Sequence, residues 1–202
     1  MGRILVALEE TGQAKNTIVV FTADHGDYMG AHRLFLKGVA AFEDAYRIPL
    51  ILSGPGIPAG RRVEQIVSLI DLAPTLVGLT VGGQFPCYGR SLRPLLGSEE
   101  PDWNSEAFAE FHGQRFFYTQ RVLWRDNYKY VFNGFDVGEL YDLAADPYEL
   151  HNLALDPAHQ SLLEGMAGRM WEIVRETDDF NMYQAQYGMF RFAPVGPEWS
   201  AS

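Results

Sequence analysis

Cysteine is almost missing from this chain: Cys87 is the only one in 202 residues. A single thiol can form no intrachain disulfide and cannot build a multi-cysteine zinc site, and it leaves the redox compartment open. Long apolar runs are missing too. No stretch approaches the roughly eighteen residues of a membrane-spanning helix. The opening MGRILVALEETG has no basic-then-apolar leader with a cleavage site, so no signal peptide is expected, and a cytoplasmic, periplasmic or secreted parent all remain open. Val6 stands where N-myristoylation needs serine or threonine. Basic residues are scarce, 16 against 26 acidic ones, for a formal charge of −10. That balance argues against a nucleic-acid partner, whose backbone demands a basic footprint. Any anionic substrate must then be drawn by a local feature rather than by the overall field. Internal repeats are absent.

What the chain does have is apolar mass, 47% hydrophobic and 13% aromatic residues, enough for a packed core. Its organising stretch is Thr17 to Lys37. Thr17–Thr22 is a short β-branched run that reads as a strand buried on both faces. Asp24 and His25 follow at once. Two metal-competent side chains at the carboxyl end of a strand lie where ligands collect in open α/β sheets. Lys37, thirteen residues after Asp24, adds a positive charge able to reach the same crevice.

Taken in order, Arg3–Glu10 reads as the last turns of an amphipathic helix stopped at Thr11-Gly12, so that the chain starts inside an element. Gly30–Gly38 is expected to be a loop over the site. Pro49–Ser53 reads as a second buried strand, 54–60 as a dense turn cluster, and Val63–Val67 as a short strand. Asp71 stands at the N-cap of a helix that has Pro74 in its first turn. After a long connection from Gly82, four short aromatic and β-branched segments follow: 107–111, 116–123, 128–132 and 139–143. Turn signals between them make an antiparallel meander. Asp156-Pro157 opens a helix whose Leu162, Leu163, Met166, Met170, Ile173 and Val174 share one face, placing it across the small sheet. The tail from Asn181 has aromatics but no period.

These residues resemble a known family. Thr22-Ala23-Asp24-His25-Gly26, Gly30-Ala31-His32, Leu36-Lys37-Gly38, Arg47-Ile48-Pro49-Leu50, Asp71-Leu72-Ala73-Pro74-Thr75-Leu76 and Gly89-Arg90-Ser91-Leu92 are similar to the second metal-and-sulfate region of the type I sulfatases. Tyr128-Lys129-Tyr130, Glu139–Leu143 and Asp146-Pro147-Tyr148-Glu149-Leu150-His151-Asn152-Leu153 look like that family's C-terminal hallmark. The resemblance implies an α/β, alkaline-phosphatase-like fold, present in part, with a small C-terminal subdomain of antiparallel sheet plus helix. The corresponding domains are 1–103, 104–180 and a tail, 181–202. It implies hydrolysis of a sulfate monoester in the full-length enzyme, by a formylglycine matured from cysteine and a divalent cation, calcium first, with manganese, magnesium or zinc as alternatives. Carried over, Asp24 and His25 are metal ligands. Lys37 contacts the sulfate or the leaving oxygen, and His32 orients the loop or touches substrate. Glu110 and His112 stand where family members project substrate-selecting side chains.

Two departures matter. His25 replaces the commoner asparagine, and a nitrogen ligand suits manganese or zinc better than calcium. The nucleophile motif Cys/Ser-x-Pro-Ser/Ala-Arg does not occur, because Cys87 is followed by Tyr88-Gly89-Arg90. Formylglycine is therefore not encoded in this chain, which reads as the C-terminal portion of a sulfatase and is expected to be inactive alone. The expected ligand is a small-molecule or carbohydrate sulfate ester, with homo-oligomer formation open. A phosphonate or phosphate monoester hydrolase and a non-catalytic interaction module are the competing readings. Singly, the nominated residues have bland explanations: Asp24-His25 as a helix-capping turn, Lys37 as a solvated lysine, Glu110 and His112 as polar ends of an edge strand. Asp71 and Arg90 read as structural, Cys87 as an ordinary small hydrophobe.

Overall fold

A computed structural model describes residues 1–97, 102–113, 119–134, 136–183 and 193–196. They fall into two compact units, Met1–Gly26 with Ala45–Trp103, and Asp27–Asp44 with Asn104–Ser202. The excursion 27–44, which the sequence reading kept with the α/β part, shares its contacts with the second unit.

In the first unit, helix α1 (Gly2–Glu10) ends as its sequence suggests. Gly12 takes φ +70°, and the amides of Gly12 and Gln13 donate to the carbonyls of Glu9 and Leu8, the paired bonds of a Schellman stop. Strands β1 (Val19–Thr22) and β2 (Leu50–Ser53) pair antiparallel, with Phe21 opposite Ile51. Neither strand is buried on both faces: Phe21 is 42% and Ile51 58% exposed. Among the described residues this sheet has two strands, and a two-stranded sheet cannot cover itself. Gly54, just past β2, is required by space. A Cβ there would lie 2.7 Å from the Thr17 carbonyl oxygen and 2.8 Å from the Ile18 Cα.

Residues 63–67 form no strand. Among the described residues no strand pairs with this backbone, and the Ile66 carbonyl instead accepts from the Trp103 indole at 3.0 Å. Helix α3 (Leu72–Thr80) does begin after Asp71, yet Asp71 does not cap it. Its buried carboxylate turns back to accept the Ser68 amide at 2.9 Å and the Arg90 amide at 2.7 Å, tying two loops together. Two short helices, α2 (Glu43–Tyr46) and α4 (Arg93–Leu96), also precede the small sheet, and the first two residues of α2 belong to the second unit. Cys87 is exposed, with Sγ 3.5 Å from the Gly89 carbonyl, in a glycine-flanked loop.

The second unit is a four-stranded antiparallel meander, β3 (Glu106–Phe111), β4 (Gln120–Arg125), β5 (Tyr128–Phe132) and β6 (Glu139–Asp142), in sequence order. The part of the predicted second strand at 116–118, and most of the tail, lie outside the described residues. Helix α5 (Gln160–Glu176) packs on one face of the sheet. Leu123, Tyr130 and Leu140 are cross-strand neighbours and meet Leu163, Met166, Met170 and Trp171 in a single core. Each such side chain removed from water contributes about 1.5–3 kcal/mol, which makes this the best-founded part of the chain. Leu162 is only partly buried at the rim. A short helix, α6 (Phe180–Tyr183), follows.

Candidate active site

Asp24 and His25 leave the end of β1 in the first unit. The Asp24 carboxylate accepts the His25 amide at 3.0 Å, an ordinary turn contact. The ring is the more informative part. Nδ1 lies 2.7 Å from the Gly26 carbonyl oxygen, which can only accept, so Nδ1 carries the proton. In the neutral ring Nε2 is then left with a free lone pair. That atom sits 3.5 Å from Asp24 Oδ2, long for a hydrogen bond and well suited to two ligands of one cation. Asp24 is 87% exposed and free to receive it. A backbone carbonyl bonded to the far nitrogen is the usual way a ligating histidine is oriented. The pair therefore fits a divalent cation as part of its shell. Among the described residues no group of three or more His, Cys, Asp and Glu converges on one point.

His32 and Lys37 belong to the second unit. The segment carrying them has an unusual backbone: Met29, His32, Arg33 and Leu36 all have φ between +48° and +64°. Side chains rarely adopt this region, at a cost of order 1–3 kcal/mol each, so the conformation must be imposed by its surroundings. The His32 ring lies flat on Phe42, centroids 3.5 Å apart and planes 2° from parallel. Lys37 is exposed, and its ammonium has no hydrogen bond or ion pair among the described residues. Leu34, Phe35 and Leu36 are exposed beside it.

Glu110 and His112 are brought together near the end of β3. His112 Nε2 lies 3.0 Å from Glu110 Oε2, with both side chains about half-exposed. Register puts Arg121 directly opposite Glu110, and its Nη2 is 3.8 Å from the same oxygen. Arg121 is fully buried, held by Asp179 at 2.6 Å and by the Thr119 hydroxyl at 3.1 Å. The pair thus stands in front of a buried guanidinium.

The sequence reading passed over the buried charges of this unit. Lys129, Glu149 and Arg121 are among its least exposed residues. In β5 the alternation Tyr128-Lys129-Tyr130-Val131-Phe132 reads Lys129 out to solvent, opposite Tyr130 on the core face. That outer face is covered by residues 39–43, which no local pattern announces. The Glu149 carboxyl is pushed above the ordinary glutamate value by burial, while the Lys129 ammonium and the Glu43 amide pull it back. Within the first unit a cavity of about 370 Å³ is lined by Pro74, Phe85, Cys87, Ser91 and Arg93 among others, and contains none of the nominated residues.

An α/β protein of the alkaline-phosphatase-like plan, with a small antiparallel sheet and helix appended, is the class that these features define. Residues 1–83 match the family model described as Sulfatase. Over 170 residues the chain is 39% identical to arylsulfatase K of Xenopus laevis, covering 76% of this chain and 31% of that protein. It is 37% identical over 186 residues to PehA of Trinickia caryophylli, a multifunctional alkaline phosphatase superfamily protein, covering 83% and 36%. The solved structure of a 2-O GAG sulfatase superposes with a TM-score of 0.83 at 30% identity, over 92% of this chain and 42% of that one. The chain belongs to the sulfatase family. It spans about a third of the length of the curated relatives it matches.

Proposed function

We propose that this chain supplies one part of the active site of a sulfuric ester hydrolase acting on a carbohydrate sulfate. The observation that carries the reading is the Asp24–His25 pair, with Nδ1 anchored on a carbonyl and Nε2 presented beside Oδ2. These two would hold a divalent cation, which when bound supplies positive charge to the sulfate oxygens. Lys37 serves as the donor for the leaving oxygen, whose charge grows as the ester bond breaks. Glu110 and His112 read hydroxyl or ring substituents of the sugar. A carbohydrate ester is favoured by the 2-O GAG sulfatase among the structural neighbours. Calcium is the family's usual ion, and the His25 nitrogen makes manganese the informative probe.

The test is manganese titration of the chain followed by NMR. Broadening is expected first at His25 and Asp24 signals, and it should need roughly tenfold more metal in Asp24→Asn. Equal broadening in an Asp24→Asn/His25→Gln variant would overturn the metal assignment. The chain alone is expected to hydrolyse neither an aryl sulfate nor an aryl phosphonate, since no residue plays the formylglycine role. Metal-dependent turnover of either ester by the isolated chain would refute that expectation.

A further inference from the structure

The second unit spends its buried charges on a loop. Lys129, on β5 and fully buried, is ion-paired with Glu149 Oε1 and donates to the Ala41 carbonyl at 2.6 Å. Glu149 Oε2 accepts the Glu43 amide at 2.6 Å. The Glu43 carboxylate in turn accepts the Trp124 indole at 2.8 Å and lies 3.5 Å from the Lys129 ammonium. Gln120 Nε2 donates to the Val39 carbonyl at 2.9 Å, and the Tyr28 hydroxyl to that of Ala40 at 2.5 Å. Four of the five residues from 39 to 43 therefore have a main-chain group held by a side chain. The fifth, Phe42, has its ring among Tyr28, Tyr141 and His32.

A buried ion pair of this kind is weak evidence for stability, since apolar side chains of the same volume often serve as well or better. What apolar side chains cannot do is dictate where main-chain amides and carbonyls sit. Glu149 itself holds φ +53°, a conformation that needs support from its partners. Next to the clamped run lies the left-handed segment 29–36, and Lys37 is two residues before Val39.

We infer that Lys129 and Glu149 are positioning residues of the hydrolase site: by fixing 39–43 they set Phe42, and through its stacked ring they hold the His32 loop, and Lys37 with it, in the working conformation. The functional part of this inference rests on the site reading above; the lock itself does not. It gives the Tyr128-Lys129-Tyr130 and Asp146-Pro147-Tyr148-Glu149 motifs a shared task that neither has alone.

The experiment is NMR on the full 202-residue chain. A ring 3.5 Å above Phe42 has its carbon-bound protons shifted upfield by the ring current, and those of His32 are expected to show it. In Lys129→Met/Glu149→Leu, which keeps volume and removes both charges, the β4 and β5 amides should keep their positions. The His32 protons should move toward those of a free histidine. An unchanged His32 shift in the folded double variant sinks the proposal. A second readout needs no mutation: the Glu43 amide should exchange with deuterium as slowly as the amides of β5, and rapid exchange there overturns the lock whatever the variant does. Manganese broadening at His25 is measured on separate signals, so the lock and the metal assignment can fail independently. If both stand, the double variant of an active full-length relative, at the matching positions, should lose kcat at least tenfold with little change in thermal midpoint.

Discussion

Tyr130 carries a hydroxyl with no visible use. Its ring is fully buried in the sheet–helix core, and the oxygen has no hydrogen-bond partner among the described residues. Burial holds the phenol well above the usual tyrosine range, so it stays protonated. An unmatched buried hydroxyl costs free energy that a bonded one does not. Tyr130→Phe is therefore expected to leave stability unchanged or raise it by up to about 1 kcal/mol in urea unfolding. A loss of more than about 1 kcal/mol would show that the oxygen has a bond after all. Tyr141, the cross-strand neighbour of Lys129, is the contrast: it too is held above the tyrosine range, by burial first and by Glu139 next. Its hydroxyl donates to that carboxylate at 2.8 Å, so the same change there should destabilise. These differences could not be read from the sequence, where both are tyrosines of an alternating strand.

Among elements, helix α5 was the most legible and shows why. An Asp-Pro start and an apolar stripe at helical spacing are both local, so both survive into the structure. Asp156 accepts the Ala158 amide at 2.9 Å, capping the 3-10 turn Pro157–His159 that runs into α5 rather than α5 itself, and Leu163, Met166, Met170, Ile173 and Val174 are buried. The Asp156 carboxyl is held below the ordinary aspartate value, chiefly by that amide and then by His159. A depressed acid contributes stability that is present above its unfolded pKa and disappears as pH falls through the folded one. Asp156→Ala should accordingly lower the melting temperature at pH 7. The gap from wild type should close as calorimetry is repeated below pH 4; a gap independent of pH would assign the effect to something other than the charge. Val63–Val67 and the Asp71 cap were misread for the opposite reason. A strand needs a partner from elsewhere in the chain, and the Asp71 carboxylate is drawn off by the Ser68 amide three residues back and by the Arg90 amide nineteen residues on, the second of which no local pattern announces.

At the scale of the whole chain, the family and the two-part architecture were legible because they rest on ordered motifs rather than on any single residue. Asp24, His25, Glu110 and His112 could be nominated from the same source, and the structure adds the ring tautomer of His25 and the Arg121 guanidinium behind Glu110. The buried charges escaped notice because period two assigns Lys129 to solvent, and only the fold reveals that residues 39–43 cover that face. The left-handed segment before them has one more consequence, which concerns digestion rather than catalysis. Phe35 is 76% and Leu36 70% exposed on a loop, where an endopeptidase can draw the backbone into an extended form. Brief chymotrypsin treatment should nick the chain after Phe35 ahead of any site in β4 or β5, as mass spectrometry of the fragments would reveal. That one cut would leave Asp24 and His25 on the smaller peptide and Lys37 on the larger.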